Sequence, residues 1–447
     1  MLNMYCSPAS VKPFIFLSPL LAVLLTLASF CAEAWAEMPE PGTIDNSFPI
    51  RVDHPRKLGA WTLPAERIFI GSDYKPSLAL LPDGELIMVA VFIFEPGTKR
   101  THLWRSRDGG RTWSERVDVK GMLGHEPFVT CVRGGTLFVT TCLGYRDTGN
   151  KDGYTHAYLH RSTDGGRTWE HTRIGPEGFP PKADARCSRS VVELPDGTLL
   201  LGVGSAGSLL QGVGRGKVQQ NNFLWTSGDG GKTWQQGKQV TIGNYRDLPF
   251  DKYNGDAFFS EDFTYRTKKG KLLHWVRVGP ESGAIFPMHD GRPLPDPIKD
   301  ANNMHTDRMM LCQSTDNGQT WSDLRDFGDY CQMYPRVLRL QDGRLLMTFT
   351  QRALLFPIGL RAILSYDDGE TWDFSCDQII INGKTPWGRH GGGCFGNTIQ
   401  LKDGTLVSCY SYQETGEGRP GQPGFEPLIE VVRWRLPAPL EQRQSKN

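Results

Sequence analysis

The chain has 447 residues, with 50 Lys and Arg against 49 Asp and Glu, for a formal net charge of +1. So even a balance supplies no field for nucleic acid or an anionic membrane surface, and both are excluded as partners. Its 51 Gly and 12 Trp suit many strands and tight turns.

In chain order, residues 1–36 read as a cleavable signal peptide. Lys12 is the lone positive charge, Phe14 to Phe30 is the apolar run, and Ala34-Trp35-Ala36 is an A-x-A cleavage site. Pro19 interrupts the run, and no other apolar stretch approaches membrane-spanning length. The expectation is a secreted or periplasmic protein with no membrane insertion after cleavage. Residues 37–65 read as an N-terminal extension, 66–436 as one repeat domain and 437–447 as a C-terminal tail.

Two turn motifs alternate through the repeat domain. The inner turns are Leu81-Pro82-Asp83-Gly84, Arg133-Gly134-Gly135-Thr136, Leu194-Pro195-Asp196-Gly197, Lys268-Lys269-Gly270-Lys271, Leu340-Gln341-Asp342-Gly343 and Leu401-Lys402-Asp403-Gly404. After each of the first five comes an octapeptide, Ser-x-Asp-x-Gly-x-Thr-Trp, at Ser106 to Trp113, Ser162 to Trp169, Ser227 to Trp234, Ser314 to Trp321 and Ser365 to Trp372. Asp accepts bonds from nearby backbone amides, Gly takes a positive φ, and Ser and Thr add local bonds, so each octapeptide is a hairpin turn. These five aspartates are read as structural.

Each inner turn joins two inner strands and each octapeptide joins two outer ones, giving four-stranded blades. Six inner turns make six blades. The sixth has no octapeptide. Its third strand is Leu428 to Trp434, and the early segment Glu66-Arg67-Ile68-Phe69-Ile70 is free to supply the fourth, closing the ring and removing two open edges.

Cys131, Cys142, Cys187, Cys312, Cys331, Cys376, Cys394 and Cys409 follow the signal segment. Their spacings match no zinc pattern, and no metal or cofactor is expected. Disulfides and buried free thiols are both open to an exported chain. The domain is expected to act as a monomer.

Function is expected where inner strands begin and return, at one mouth of the channel. Counting back from the inner turns places Tyr74 and Lys75, His125 and Glu126, Arg186 and Arg189, Glu261 and Asp262, Tyr334 and Arg336, and Arg389, His390 and Phe395 there. Second strands end near Glu95, Arg277, Arg352 and Tyr412. Converging guanidinium groups suit an anionic ligand such as an acidic sugar. Each Arg is equally able to pair with a neighbouring carboxylate in a structural network, and Tyr334 reads first as core.

The octapeptides and the blade count resemble the sialidase (neuraminidase) superfamily, whose repeats are called Asp boxes or BNR repeats, over about residues 66–436. The resemblance implies an all-β fold, a six-bladed β-propeller with Asp-box hairpins on the outer strands. It also implies a glycosidase site: an arginine triad for the substrate carboxylate, a Tyr nucleophile assisted by a Glu, and an Asp acid/base. A neutral Tyr suits an anionic substrate that would repel a carboxylate nucleophile.

Carried over by position, Glu261 and Arg277 match the family pattern, the Arg sixteen residues after the Glu. Elsewhere the chain departs. The first triad arginine is missing, with Tyr74 at its position and Lys75 the nearest cation, and Glu95 is the only carboxylate near the acid/base position. Pro357 falls at the third arginine, flanked by Arg352 and Arg361. Phe395 stands at the nucleophile position, leaving Tyr410, Tyr412 and His390 as replacements.

The resemblance therefore implies an exported glycoside hydrolase acting on terminal acidic or sulfated sugars of glycans, with sialic acid release weak or absent. Glu261 and Glu95 are its acid/base candidates. Arg277, Arg189, Arg352, Lys75, Arg186 and Arg336 are the substrate-binding set. A non-catalytic glycan-binding propeller stays open, as does a polysaccharide lyase using His125 or His390 on uronate-containing glycans.

Overall fold

Six inner turns close in one manner. In each, the N–H of the residue before the turn donates to the carbonyl of the residue after it, as Leu81 N–H does to Glu85 O at 2.9 Å and Leu401 N–H to Thr405 O at 2.8 Å. The computed structural model describes residues 40–92, 100–142, 156–174, 183–207, 222–236, 239–240, 257–280, 308–329, 331–351, 359–382, 395–412 and 427–438. The expected signal segment, 1–36, and residues 439–447 of the tail lie outside them.

The strands form six antiparallel blades. Blade one is Tyr74–Leu80, Leu86–Phe92, Arg100–Ser106 and Val117–Leu123; blade two is His125–Cys131, Leu137–Cys142, Ala157–Ser162 and Glu170–Ile174. Blade three is Ala183–Glu193, Leu199–Gly207, Asn222–Ser227 and Gln239–Val240; blade four is Ala257–Arg266, Leu272–Pro280, Arg308–Ser314 and Arg325–Phe327. Blade five is Gln332–Arg339, Leu345–Gln351, Gly359–Ser365 and Gln378–Ile380. The sixth holds Thr398–Gln400, Leu406–Tyr412 and Leu428–Trp434, and Ala65–Ser72 is its fourth strand, paired from Ser72 opposite Leu428 to Ala65 opposite Trp434. The chain is thus an all-β six-bladed propeller, closed as its sequence implies.

Residues ahead of position 65 also join the sheets. Ile50–Asp53 and Thr62–Leu63 extend blade five, and Ile44–Asp45 pairs with the closing strand. The closure carries a buried ion pair. Arg67 donates to Glu430 Oε2 at 2.9 Å, to Ile381 O at 2.8 Å and to Phe48 O at 2.6 Å, and Tyr410 Oη also donates to Glu430.

The apolar core is divided among the blade interfaces. One cluster joins blades one and two through Val89, Leu103, Val129 and Val139, and another joins blades four and five through Trp275, Leu311, Phe349 and Ile363. Because both faces of a blade are covered, inner strands such as Leu86–Phe92 are apolar throughout rather than alternating.

The octapeptide turns satisfy themselves. In the first, Asp108 accepts from Ser106 Oγ at 2.9 Å, from the Arg111 and Thr112 amides at 3.0 and 2.9 Å, and from Thr112 Oγ1 at 2.6 Å, while Trp113 Nε1 donates to Gly110 O. Asp164, Asp229, Asp316 and Asp367 accept from their own Ser and Thr in the same way. The six described cysteines, Cys131, Cys142, Cys312, Cys331, Cys376 and Cys409, are free thiols.

Candidate functional site

The first strand of a blade breaks its ladder near its start, and that break builds the site. In blades one, two, four and five a non-glycine residue sits at positive φ: Lys75 at 55°, Glu126 at 60°, Glu261 at 53° and Tyr334 at 59°. Pairing registers shift across these positions, between Tyr74 and Ser77, Ser260 and Phe263, and Met333 and Arg336. A bulge turns a side chain out of the sheet, and the left-handed backbone it demands costs a non-glycine residue about 1 kcal/mol or more. Pro76, Pro127 and Pro335 follow three of the four, where no ladder N–H is needed. Four costly conformations at one level of one channel mark a place built for side-chain convergence.

The four side chains meet there, joined by Arg189 of blade three, Arg277 of blade four and Phe395 of blade six. Lys75 Nζ bonds Glu126. Arg189 Nη2 bonds both Glu126 and, at 2.8 Å, Glu261 Oε1. Arg277 Nη1 bonds Glu261 and donates to Tyr334 Oη at 2.7 Å. The Tyr334 ring lies 4.5 Å from that of Phe395, centroid to centroid, and the Arg189 guanidinium is 4.3 Å from the Tyr334 centroid. Lys75 Nζ is 4.0 Å from the Phe395 centroid, and Tyr74 meets Phe395 edge-on at 5.5 Å. Three cations and two carboxylates thus form one alternating chain over an aromatic floor, with each link between blades or between strands of a blade.

Electrostatics hold this chain in its charged form. Burial pushes the Glu126 carboxyl up, but Arg189 and Lys75 outweigh it and hold it well below the usual carboxylate range. Burial acts on Glu261 likewise, and Arg277 and Arg189 overcome it to leave the carboxyl lowered. For Lys75, burial dominates the attraction of Glu126 and brings the ammonium down to about 8. Both carboxylates are therefore bases or nucleophiles at neutral pH, not proton donors.

Of the acid/base and substrate-binding candidates, Glu261, Arg277, Arg189 and Lys75 come together, with Tyr74, Glu126, Tyr334 and Phe395 of the expected mouth around them. Arg336 lies one step deeper, its guanidinium carbon 4.5 Å from the Phe128 ring centroid. Two of the three replacement nucleophiles are elsewhere. Tyr410 and Tyr412 are buried in the cluster between blades five and six, and the Tyr410 hydroxyl serves Glu430 of the ring closure. Arg361 is turned outward to Gln378 Oε1 at 2.5 Å. Glu95, Arg352, Arg389 and His390 lie outside the described residues. Arg186 stands on the Ala183–Glu193 strand, and its side chain is outside them too.

Two members of the cluster were undervalued from sequence. Glu126 is its bridge to Lys75, and Tyr334 is both core and site. Repeat phase was the available signal: Lys75, Glu126, Ser188, Glu261, Tyr334 and Phe395 all stand eight residues before the same position of their inner turns. In blade three the ladder breaks between Cys187 and Val191, and Arg189, one residue past the phased position, enters the cluster.

The profile of the family described as BNR repeat-like domain matches residues 63–347. The chain is 26% identical over 321 residues to a sialidase of Micromonospora viridifaciens, a match covering 60% of this chain and 48% of that protein. It is 24% identical over 296 residues to a sialidase of Paraclostridium sordellii, covering 63% of this chain and 66% of that one. The chain thus matches about half to two thirds of the length of these relatives. Among solved structures, an α-L-arabinofuranosidase of Fusarium graminearum shares the fold with a TM-score of 0.56 at 14% identity, covering 87% of this chain and 98% of that one.

Proposed function

Because the chain belongs to the BNR repeat-like domain family, we propose that it is an exported glycoside hydrolase acting on terminal acidic or sulfated sugars of glycans. The observation that carries this reading is the pair Glu126 and Glu261, two ionised carboxylates held on one nitrogen of Arg189 at the mouth of the propeller. Such a pair supplies the charge that an oxocarbenium-like transition state needs. Lys75, Arg189 and Arg277 exceed the two carboxylates by one positive charge, which suits a substrate that brings one negative charge. A general acid has to hold a proton at neutral pH, so neither carboxylate fills that part; Glu95, on the loop after a second inner strand, is assigned it.

Phe395 lacks a hydroxyl, so the tyrosyl chemistry of sialidases has no nucleophile at that position. Sialic acid release is accordingly expected to be weak or absent, and Glu261 is assigned the part of base or nucleophile. The test is a panel of aryl glycosides carrying sialic, uronic, sulfated or neutral sugars. An anionic member is expected to be cleaved, with kcat falling roughly 10³-fold or more in Glu261→Gln, about 4 kcal/mol. Azide restoring a Glu261→Gly variant would identify a nucleophile.

A second reading, a non-catalytic glycan-binding propeller, is favoured by the fact that every cation of the cluster already has a carboxylate partner. Binding of acidic glycans by a protein that cleaves no member of the panel would replace the first reading with this one. Robust sialic acid release, abolished in Glu261→Gln, would show that the Phe395 departure had been misjudged.

A further inference from the structure

Beneath the cluster the six first strands surround an axial channel of about 360 Å³. Leu78, Thr130, Ser190, Thr264, Arg336 and Asn397 each line it from a different blade, and no Asp or Glu is among the described residues that do. Arg336 is 7% exposed, and its neighbours are aromatic: its guanidinium carbon lies 4.5 Å from the Phe128 centroid and 5.3 Å from the Phe263 centroid. Its one described hydrogen bond runs from Nη1 to the carbonyl of its own neighbour Pro335, at 2.6 Å. Nε is buried with no partner.

This charge has no counterion among the described residues. Glu126 and Glu261 attract it only from a distance, and both are already held by Lys75, Arg189 and Arg277. A guanidinium does not escape by losing its proton, as a lysine can. Burial and the nearby Arg189 both press against its charged form. Aromatic faces offset part of that cost but leave the in-plane N–H donors unserved. Buried charges are paired, and the channel is the space from which a partner can come.

We propose that the axial channel is a binding site for a small monovalent inorganic anion, chloride being the probe of choice, seated on the Arg336 guanidinium. The site is separate from the carboxylate cluster and independent of the proposed hydrolase activity, since its ligand balances Arg336 rather than engaging Glu261.

Two measurements on the full chain test it. Crystals grown with bromide in place of chloride are expected to show an anomalous peak within hydrogen-bonding reach of the Arg336 guanidinium. Thermal unfolding at constant ionic strength, with chloride replacing gluconate, is expected to show a saturable stabilisation, about elevenfold in the folding constant at ten times Kd. In Arg336→Met the chloride response is expected to vanish, while stability in gluconate holds or improves because a lone buried charge has been removed. No bromide peak, together with an unfolding temperature indifferent to chloride, overturns the proposal whether or not Arg336→Met folds. So does a chloride response that Arg336→Met retains in full.

Discussion

The rim turns and the mouth cluster both fix carboxylates with dense hydrogen bonding, but the rim draws its partners from the same turn and the mouth from distant parts of the chain. The Asp108 carboxylate finds its partners within four residues of itself. Glu126 is held by Lys75, 51 residues away, and by Arg189, 63 away; Glu261 takes Arg189 from 72 residues away. The rim carboxylate is largely exposed; what burial it has raises it, and its turn hydrogen bonds together outweigh that and hold it below its ordinary value. Of the mouth carboxylates Glu261 is buried and Glu126 half-buried, and both stay ionised because cations of other strands reach them. A locally satisfied carboxylate is a part that can be copied from blade to blade. A globally satisfied one exists only once the ring has closed.

The strongest way to break this contrast is Arg189→Met. It leaves Glu126 and Glu261 facing one another without their shared cation, and about 3–5 kcal/mol of stability should be lost at pH 7. Urea denaturation measures it, and a loss below about 1 kcal/mol would mean that Lys75 and Arg277 suffice to hold the two carboxylates.

Next in size is Tyr410→Phe. The hydroxyl donates to a buried carboxylate in the closure, so its removal should cost about 1.5–3 kcal/mol, while any glycan cleavage per folded molecule stays unchanged. Loss of activity in a stable, folded Tyr410→Phe protein would return this residue to the site.

Asp108→Ala probes the rim. One exposed turn loses its cap, and the expected cost is roughly 1 kcal/mol, seen as a lowered melting temperature with ligand binding untouched. The pH dependence carries its own sign. The folded carboxyl lies below its ordinary value, so its contribution is complete above the unfolded pKa and disappears as pH falls through the folded one. Acid titration of wild type against Asp108→Ala should therefore converge below about pH 4.

The smallest expected effect is that of Lys75. Its folded pKa of about 8 lies below the ordinary 10.5. Between those values the unfolded chain retains a proton that the folded one has released, so this group makes stability rise with pH across that window. Loss of the charge also weakens the hold on an anion. Affinity for an acidic glycan should fall a fewfold from pH 7 to 9, and Lys75→Arg should flatten that profile. An identical profile in both proteins would separate Lys75 from the ligand.

The sequence alone determined what depends on neighbours in the chain. Six inner turns and five octapeptides specify strand pairs through glycines at positive φ and side chains bonded two to four residues away, and counting them was enough to require a strand from the N-terminal side. The pair Glu261 and Arg277 was legible for the same reason, since a hairpin brings two ends of one blade together. Tertiary structure decided the rest. Glu126, Arg189 and Lys75 come from three different blades; repeat phase brings their positions to one mouth, but which of them pair is set only by the closed ring. Tyr410 looked free, yet its hydroxyl is taken by Glu430 opposite it on the next strand, a carboxylate that Arg67 reaches from 363 residues away only when the ring closes. Arg336 looked like one more ligand for an acidic sugar, yet the ring places it among Phe128 and Phe263 along the axis, where the dielectric is low and every nearby carboxylate is already engaged. Local bonds are written in the order of residues; the charge balance of a buried site depends on which distant side chains the closed ring brings within a few ångströms.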